Sequence, residues 1–333
     1  MEMYLGIDTS CYTTSLALVD KQGELGSDLR RVLKVTRGER GLQQSAALFQ
    51  HVQNLPELVD ELNVNFDLRR IAGIAVSTRP RPVEGSYMPV FTAGAGQARI
   101  LGKALGVPVF ETSHQEGHLT VGIWSARGPE TDEFLAVHLS GGTTELLKVR
   151  KLKGEIISGQ PLFEVELLGG TTDLHAGQFV DRVGVRLGLP FPAGPGLELL
   201  ARNGAPGKGL IPSAVRGYDV SFSGPESQAQ RLIDSGASGE QVARAVESCI
   251  CKTLVKLIGR GVKDHGLKQV LVVGGVASNQ YIRGELKASL LSAGIEAYFA
   301  EPRFSSDNAV GTALIANGFL QSSFSAWSSR KKL

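Results

Sequence analysis

The sequence predicts an α/β protein built from two similar lobes, and three observations carry that expectation. Residues 4 to 20, YLGIDTSCYTTSLALVD, read as an apolar strand, a Thr/Ser-rich turn and a second alternating strand. Residues 134 to 149, FLAVHLSGGTTELLKV, repeat that layout about 130 residues later, with a Gly-Gly-Thr-Thr turn at 141 to 144. Each hairpin is followed by alternating helical and strand signals, as in a layered α/β lobe. The length of 333 residues suits two such lobes at roughly 150 residues per domain. Two duplicated lobes are expected to face one another, with the cleft between them as the default site.

The elements follow in order. The first hairpin closes with the turn KQGE at 21 to 24. Apolar periodicity predicts a helix around Leu42 to Leu62, a buried strand IAGIAVST at 71 to 78, and a helix at 92 to 105 that ends before VPVFE. The second hairpin runs into KLKGE. Beyond it come a helical stretch LVKLIGRGVKDHG, a strand QVLVVGG at 269 to 275, and a helix near the C-terminal end.

Composition narrows the function classes. Apolar residues make up 42%, charged residues 20% and mean hydropathy is 0.00, enough for cores without the excess of a membrane protein. No uninterrupted apolar run reaches about 18 residues, and MEMYLGIDTS carries neither a basic leader nor an apolar core segment. A cytoplasmic protein without membrane contact is therefore expected. A net charge of +2 excludes a whole-molecule nucleic-acid coat, so any nucleic-acid contact must be local. Three cysteines, Cys11, Cys249 and Cys251, lack metal-finger spacing and suit a reducing compartment. Cys249 and Cys251 lie in an apolar helical stretch and are expected to be inert.

Several motifs bear chemistry. HQEGH at 114 to 118 places His114 and His118 four residues apart, so on a helix both imidazoles share a face and can share an ion. Glu116 sits at the centre of the motif, which fits neither zinc-protease pattern. Taken alone, two histidines lining a helix read equally well. Asp307, in SSDNAVG, stands at the entry to the final helix, where a third ligand and a helix cap are both open readings. The Gly/Ser/Thr turns of both hairpins present runs of backbone N–H groups that can cradle phosphate, although they also read as ordinary turns. GGVASN at 274 to 279 closes a strand with two glycines and begins a helix with Asn279, without dinucleotide-fold spacing. Asp181 and Glu198 flank the turn PFPAGPG, which can bring the Gly194 backbone against a sugar.

In this order, GIDTSC, HQEGH, LSGGTTEL, FVDRVGVRLGL-PFPAGPGLE, VSFSGPES, VVGGVASN and SSDNAVG resemble the family once labelled O-sialoglycoprotein endopeptidase, or glycoprotease, and now understood as the tRNA threonylcarbamoyltransferases. The resemblance runs from about Tyr4 to Ala316. It implies the two-lobed actin, hexokinase and heat-shock ATPase fold with a central nucleotide cleft. Residues 1–125 would form the first lobe, completed by a C-terminal helix over about 308–333, and residues 126–307 the second. It implies one divalent metal, iron(II) or zinc, on His114, His118 and Asp307. It further implies an adenine nucleotide or acyl-adenylate, with a phosphate turn at Leu139, Ser140, Gly141, Gly142 and Thr143 and ribose and base contacts at Asp181, Gly194, Glu198 and Asn279. The family turn reads SGGH where this chain has Thr143. Tyr12 and Thr13 replace an acidic pair, and the Gly-Val-Val-Pro-Glu stretch is lost near RGERGLQQSAALFQHV, where His51 keeps its place.

The implied activity is metal-dependent transfer of a threonylcarbamoyl group from its adenylate to N6 of adenosine 37 in tRNA, releasing AMP. Two other readings stay open because of the departures at residues 12, 13 and 143. One is a carbamoyltransferase with a different acceptor. The other is a nucleotide-binding partner of a true family enzyme that lacks catalysis itself. Implied partners are tRNA and accessory proteins of the tRNA-modification complex, including an actin-like paralogue. Arg30, Arg31, Lys34, Arg37 and Arg40 are candidates for tRNA phosphate contacts, against the alternative of a solvated charge run.

Overall fold

Alternation along the run MYLGID sends Leu5 and Ile7 to one side of a sheet and Gly6 to the other, and the whole run is buried. The computed structural model describes residues 2–10, 12–35, 42–153, 157–204 and 210–321. Its first elements are β1 (Met3–Asp8), β2 (Thr13–Asp20), β3 (Leu25–Val32), α1 (Gln44–Asn65), β4 (Ile71–Arg79), α2 (Phe91–Leu105), β5 (Val109–Ser113) and α3 (His114–Ala126). The sheet order is β3-β2-β1-β4-β5, with β2 antiparallel to β1 and β3, and β4 and β5 parallel to β1. Leu5 and Ile7 pack with Leu55, Leu58 and Leu62 of α1 and Ala98 of α2. Burial of such side chains stabilises by about 1.5–3 kcal/mol each.

The chain continues through β6 (Glu133–Leu139), β7 (Thr144–Lys151), β8 (Phe163–Thr171), α4 (Ala176–Arg186), α5 (Gly194–Ala201), β9 (Ala214–Arg216), β10 (Asp219–Ser221), α6 (Ser223–Asp234) and α7 (Gly239–His265). It ends with β11 (Gln269–Val273), α8 (Gln280–Ser292), β12 (Glu296–Phe299), α9 (Pro302–Ser305) and α10 (Val310–Gln321). The second sheet runs β12-β11-β6-β7-β8-β10-β9. Its first five strands repeat the first sheet, β6 standing for β1, β7 for β2, β8 for β3, β11 for β4 and β12 for β5. The duplication expected from the two hairpins is therefore present in the topology.

The chain divides into two compact units, one holding residues up to Arg127, Lys151–Glu164 and the segment from Asp307, the other Gly128–Arg150 and Val165–Ser306. Lys151–Glu164, expected in the second lobe, thus belongs to the first unit, and Asp307 does too. The reason is specific hydrogen bonding: Leu162 N–H donates to the buried Glu116 carboxylate at 2.7 Å and Glu111 N–H to Ser158 Oγ at 3.0 Å. Helix α10 covers the face of β1 opposite α1, and a Cβ on Gly6 would lie 2.3 Å from the Ala309 carbonyl oxygen. Among the described residues no helix is long and apolar enough to cross a membrane.

Candidate functional site

The first unit gathers four polar side chains around the start of α3. Ser113 caps this helix: its Oγ accepts from Glu116 N–H, and the Glu116 carboxylate accepts from Ser113 N–H, Ser113 Oγ and Thr112 Oγ1. Glu116, at the centre of HQEGH, is therefore a structural anchor. The cap fixes the first turn so that His114 and His118 project together, ring centroids 4.4 Å apart. Helix α10 crosses α3 glycine to glycine, and a Cβ on Gly311 would lie 1.9 Å from the Gly117 carbonyl oxygen. That contact brings Asp307, just before α10, to the histidines. Its Oδ1 lies 3.3 Å from His118 Nε2 and 3.5 Å from His114 Nε2. At the start of α10 it is Asn308 Oδ1, not Asp307, that accepts from Val310 N–H, at 2.9 Å, so the capping alternative for Asp307 gives way.

The donor atoms of His114, His118 and Asp307 all lie within 4.8 Å of one another. Two ligands bound about 2.1 Å from one ion at tetrahedral angles stand about 3.4 Å apart, so the nitrogen–oxygen spacings fit a shared divalent ion. Two imidazoles and a carboxylate suit iron, zinc or a similar transition metal. Asp8, at the end of β1 and 1% exposed, was not picked out by the sequence; its Oδ2 lies 3.0 Å from His114 Nδ1. This orients the ring so that Nε2 faces Asp307. Burial disfavours the His114 imidazolium, but Asp8 and Asp307 outweigh it and hold the group at about 10. Burial and the neighbouring His114 push His118 down. Burial opposes ionisation of Asp307 and Asp8 as well, yet the histidines hold Asp307, and His114 with Ser10 holds Asp8, below the usual carboxylate range. Two carboxylates against one imidazolium leave the cluster net negative, and a divalent cation replacing that proton balances it.

The second unit assembles the other sequence-selected residues. In the turn after β6, Ser140 N–H donates to the Thr143 carbonyl at 2.8 Å and Gly142 N–H to Ser140 Oγ at 3.3 Å. The N-terminus of α4 abuts this turn: Gly177 N–H donates to the Ser140 carbonyl at 3.1 Å, and a Cβ on Gly177 would lie 2.6 Å from Gly141 Cα. Gly274, with φ 101°, ends β11 against the Leu139 carbonyl. Gly141 and Gly142 meet nothing within 4 Å of a built Cβ, so glycine there keeps the outer side of the turn open. The Leu139 side chain is buried in the core, leaving its main chain to the turn.

Asp181 Oδ1 accepts from Ala193 N–H at 2.7 Å, which fastens α4 to the residue before Gly194, and burial pushes the Asp181 carboxyl up. Glu198, on the same short helix as Gly194, accepts from Gln280 N–H at 3.2 Å. Asn279 caps α8 through Oδ1, accepting from Ile282 N–H at 2.9 Å, and donates Nδ2 to Glu247 Oε1 at 2.7 Å. Glu247 was also missed, hidden in the apolar stretch AVESCIC of α7. Replacing Asn279 with alanine is expected to lower stability by about 0.5–2 kcal/mol through the lost cap, as read by thermal unfolding, and wild-type stability would show that the cap contributes nothing.

Burial pushes the Cys249 thiol up to about 11 and the Cys251 thiol up as well, in keeping with inert side chains. Cys11, Arg37 and Arg40 lie outside the described residues. Arg30 pairs with Asp28, and Arg31 with Glu57 and Glu61. Tyr12 is 39% exposed, Thr13 is buried in β2, and the buried His51 holds Thr14 Oγ1 through Nδ1 at 2.8 Å.

Residues 35–314 match the family model described as TsaD, tRNA N6-adenosine threonylcarbamoyltransferase. Among solved structures, full-length HypF in its phosphate- and nucleotide-bound form is similar at 14% identity and TM-score 0.59, over 96% of this chain and 47% of that one. T. kodakarensis HypF gives the same values. Component A of the Acidaminococcus fermentans (R)-2-hydroxyglutaryl-CoA dehydratase is similar at 16% identity and TM-score 0.53, over 95% of this chain and 98% of that one. The chain spans about half the length of the HypF chains it matches. These likenesses concern the fold, which is that of the actin and hexokinase class.

Proposed function

The chain belongs to the tRNA N6-adenosine threonylcarbamoyltransferase family, and on that premise we propose that it transfers a threonylcarbamoyl group from threonylcarbamoyl-adenylate to N6 of adenosine 37 in tRNA, releasing AMP. The observation that carries this reading is the convergence of His114, His118 and Asp307 on one point, with donor atoms within 4.8 Å of one another. Those three residues would hold one divalent ion, iron(II) or zinc. Such an ion would supply positive charge able to polarise the acyl carbonyl and neutralise the leaving phosphate.

The protein's own groups do the rest. Asp8 holds the His114 ring through Nδ1 and keeps Nε2 directed at the shared point. The open turn Ser140–Thr143 and the N-terminus of α4 offer backbone N–H groups and a positive dipole end to phosphate oxygens. Asp181 with Gly194, and Glu198 with Asn279, are the groups for ribose and base. In the transfer the N6 nitrogen forms a bond to the acyl carbon, the bond from that carbon to the phosphate oxygen breaks with its electron pair staying on AMP, and the amine gives up one proton to solvent as AMP departs. The proposal includes tRNA as acceptor, accessory proteins of the modification complex with an actin-like paralogue among them, and action in the cytoplasm.

A second reading, carbamoyl transfer to another acceptor, is favoured by Thr143 and by Tyr12 and Thr13 at positions where the family differs. One assay separates them. Iron-loaded protein with adenylate-making enzyme, accessory proteins and unmodified tRNA is expected to place labelled threonine in the tRNA. No label beside a working family enzyme overturns the tRNA reading and favours the second.

A further inference from the structure

Helix α7 carries a buried carboxyl that the transfer chemistry above does not use. The Glu247 side chain is 1% exposed. Its Oε1 accepts from Asn279 Nδ2 and its Oε2 from Arg244 Nη1, each at 2.7 Å. Arg244 in turn donates Nη2 to the carbonyl of Ala201, the last residue of α5, and lays its guanidinium 3.8 Å over the Tyr281 ring. The helix bearing Gly194 and Glu198 and the start of the helix bearing Asn279 are thus both tied to α7 through one ion pair. Glu198 closes the circuit by accepting from Gln280 N–H.

We propose that Glu247 is the positioning residue of the adenosine-binding end of the site, setting Asn279 against Glu198 through Arg244, and that it does so only when ionised. The inference rests on the nucleotide reading above.

Each Glu247 oxygen accepts from a protein donor, and an ionised carboxylate serves both at full strength. Protonation removes the charge that holds Arg244 and turns one oxygen into a hydroxyl, a weaker acceptor whose own proton needs a partner, so the hold on Asn279 or Arg244 loosens. The groups facing Glu247 pull in opposite directions. Burial favours the protonated form, the Asn279 amide and the Arg244 guanidinium favour the ionised one, and Glu198 on α5 adds repulsion. The carboxyl is left raised to about 7. Cys251, one turn further along α7, has its thiol pushed up by burial and adds no charge. Because the ionised form is the competent one, the site tightens above that value and loosens as pH falls through it.

The test is adenosine binding by the full-length protein between pH 6 and pH 8. Adenosine is the probe because, unlike AMP, it carries no group that titrates near neutrality. Wild-type affinity is expected to fall about tenfold from pH 8 to pH 6, as the ionised fraction of such a carboxyl does. Glu247→Gln keeps one acceptor for Asn279 but turns an amide toward Arg244. It is expected to bind more weakly at pH 8 and with a flat profile, whereas Glu247→Asp retains a pH-dependent one. Thermal unfolding checks that each variant is folded, and the wild-type slope needs no variant at all. A flat wild-type profile, or an unchanged slope in Glu247→Gln, overturns the inference alone. Failure of the wild-type protein to bind either adenosine or AMP overturns the nucleotide reading and the inference with it.

Discussion

Loss of stoichiometric divalent metal, with the fold retained, is the expected result of His118→Ala and independently of His114→Ala. Each change removes one of three protein donors from a cluster whose donor atoms lie within 4.8 Å of one another. The helix that carries both histidines is held by other groups, the Ser113–Glu116 cap and the anchor from Leu162. Truncating a buried side chain of this size costs about 1–3 kcal/mol, within the ~5–15 kcal/mol that keeps an ordinary domain folded. Asp8→Asn supplies a graded comparison. It leaves all three donors in place and disturbs only the orientation of the His114 ring, so metal affinity should fall by about 10–100-fold, without the complete loss expected of the histidine variants. Metal analysis of purified, reloaded proteins reads all three. Wild-type metal content in both histidine variants would discard the site.

This series also separates what the sequence disclosed from what it concealed. The HxxxH spacing announces itself because residues four apart share a helix face. Asp307 is 189 residues further on, and its local surroundings argue as well for a cap. Only the ordered set of motifs pointed to it, and only the geometry showed that Asn308 takes the capping role. Asp8 escaped notice because a carboxylate at the end of an apolar strand resembles the first residue of a polar turn. It also lies outside the residues the family model matches. Glu247 was masked by its apolar neighbours on a long helix. In the fold, the two hairpins were legible from their turns. By contrast β3, LGSDLRRV, was not, since it is a half-buried edge strand whose charges pair along the strand, Arg30 with Asp28. Strands β9 and β10 have three residues each, too few for any periodicity to register.

Gly311→Ala is expected to be among the most destabilising single-methyl changes in the protein and to empty the metal site without touching a ligand. The added Cβ would meet the Gly117 carbonyl oxygen at 1.9 Å and Gly117 carbon atoms at 2.7 and 3.0 Å, so the obstacle is main chain and cannot rotate aside. Helix α10 cannot simply retreat. On β1, Gly6 is also in close contact, its absent Cβ lying 2.3 Å from Ala309 O and Ala313 N. The helix is therefore wedged between α3 and the sheet, and relief requires a backbone shift of the order of an ångström. Overpacking of this kind costs about 1–3 kcal/mol even when side chains can adjust, and here the upper end or beyond is expected. The same shift would carry Asp307 away from His118, because the contact that displaces α10 is the one that sets their 3.3 Å separation. Gly96→Ala on α2 is the matched control. Nothing lies within 4 Å of its Cβ, so it should stabilise the protein by about 0.5–1 kcal/mol through helix propensity. Opposite signs in thermal unfolding, with metal lost only in Gly311→Ala, would establish that the glycine contact between α3 and α10 builds the site. A Gly311→Ala protein as stable and as metal-replete as the wild type would refute it.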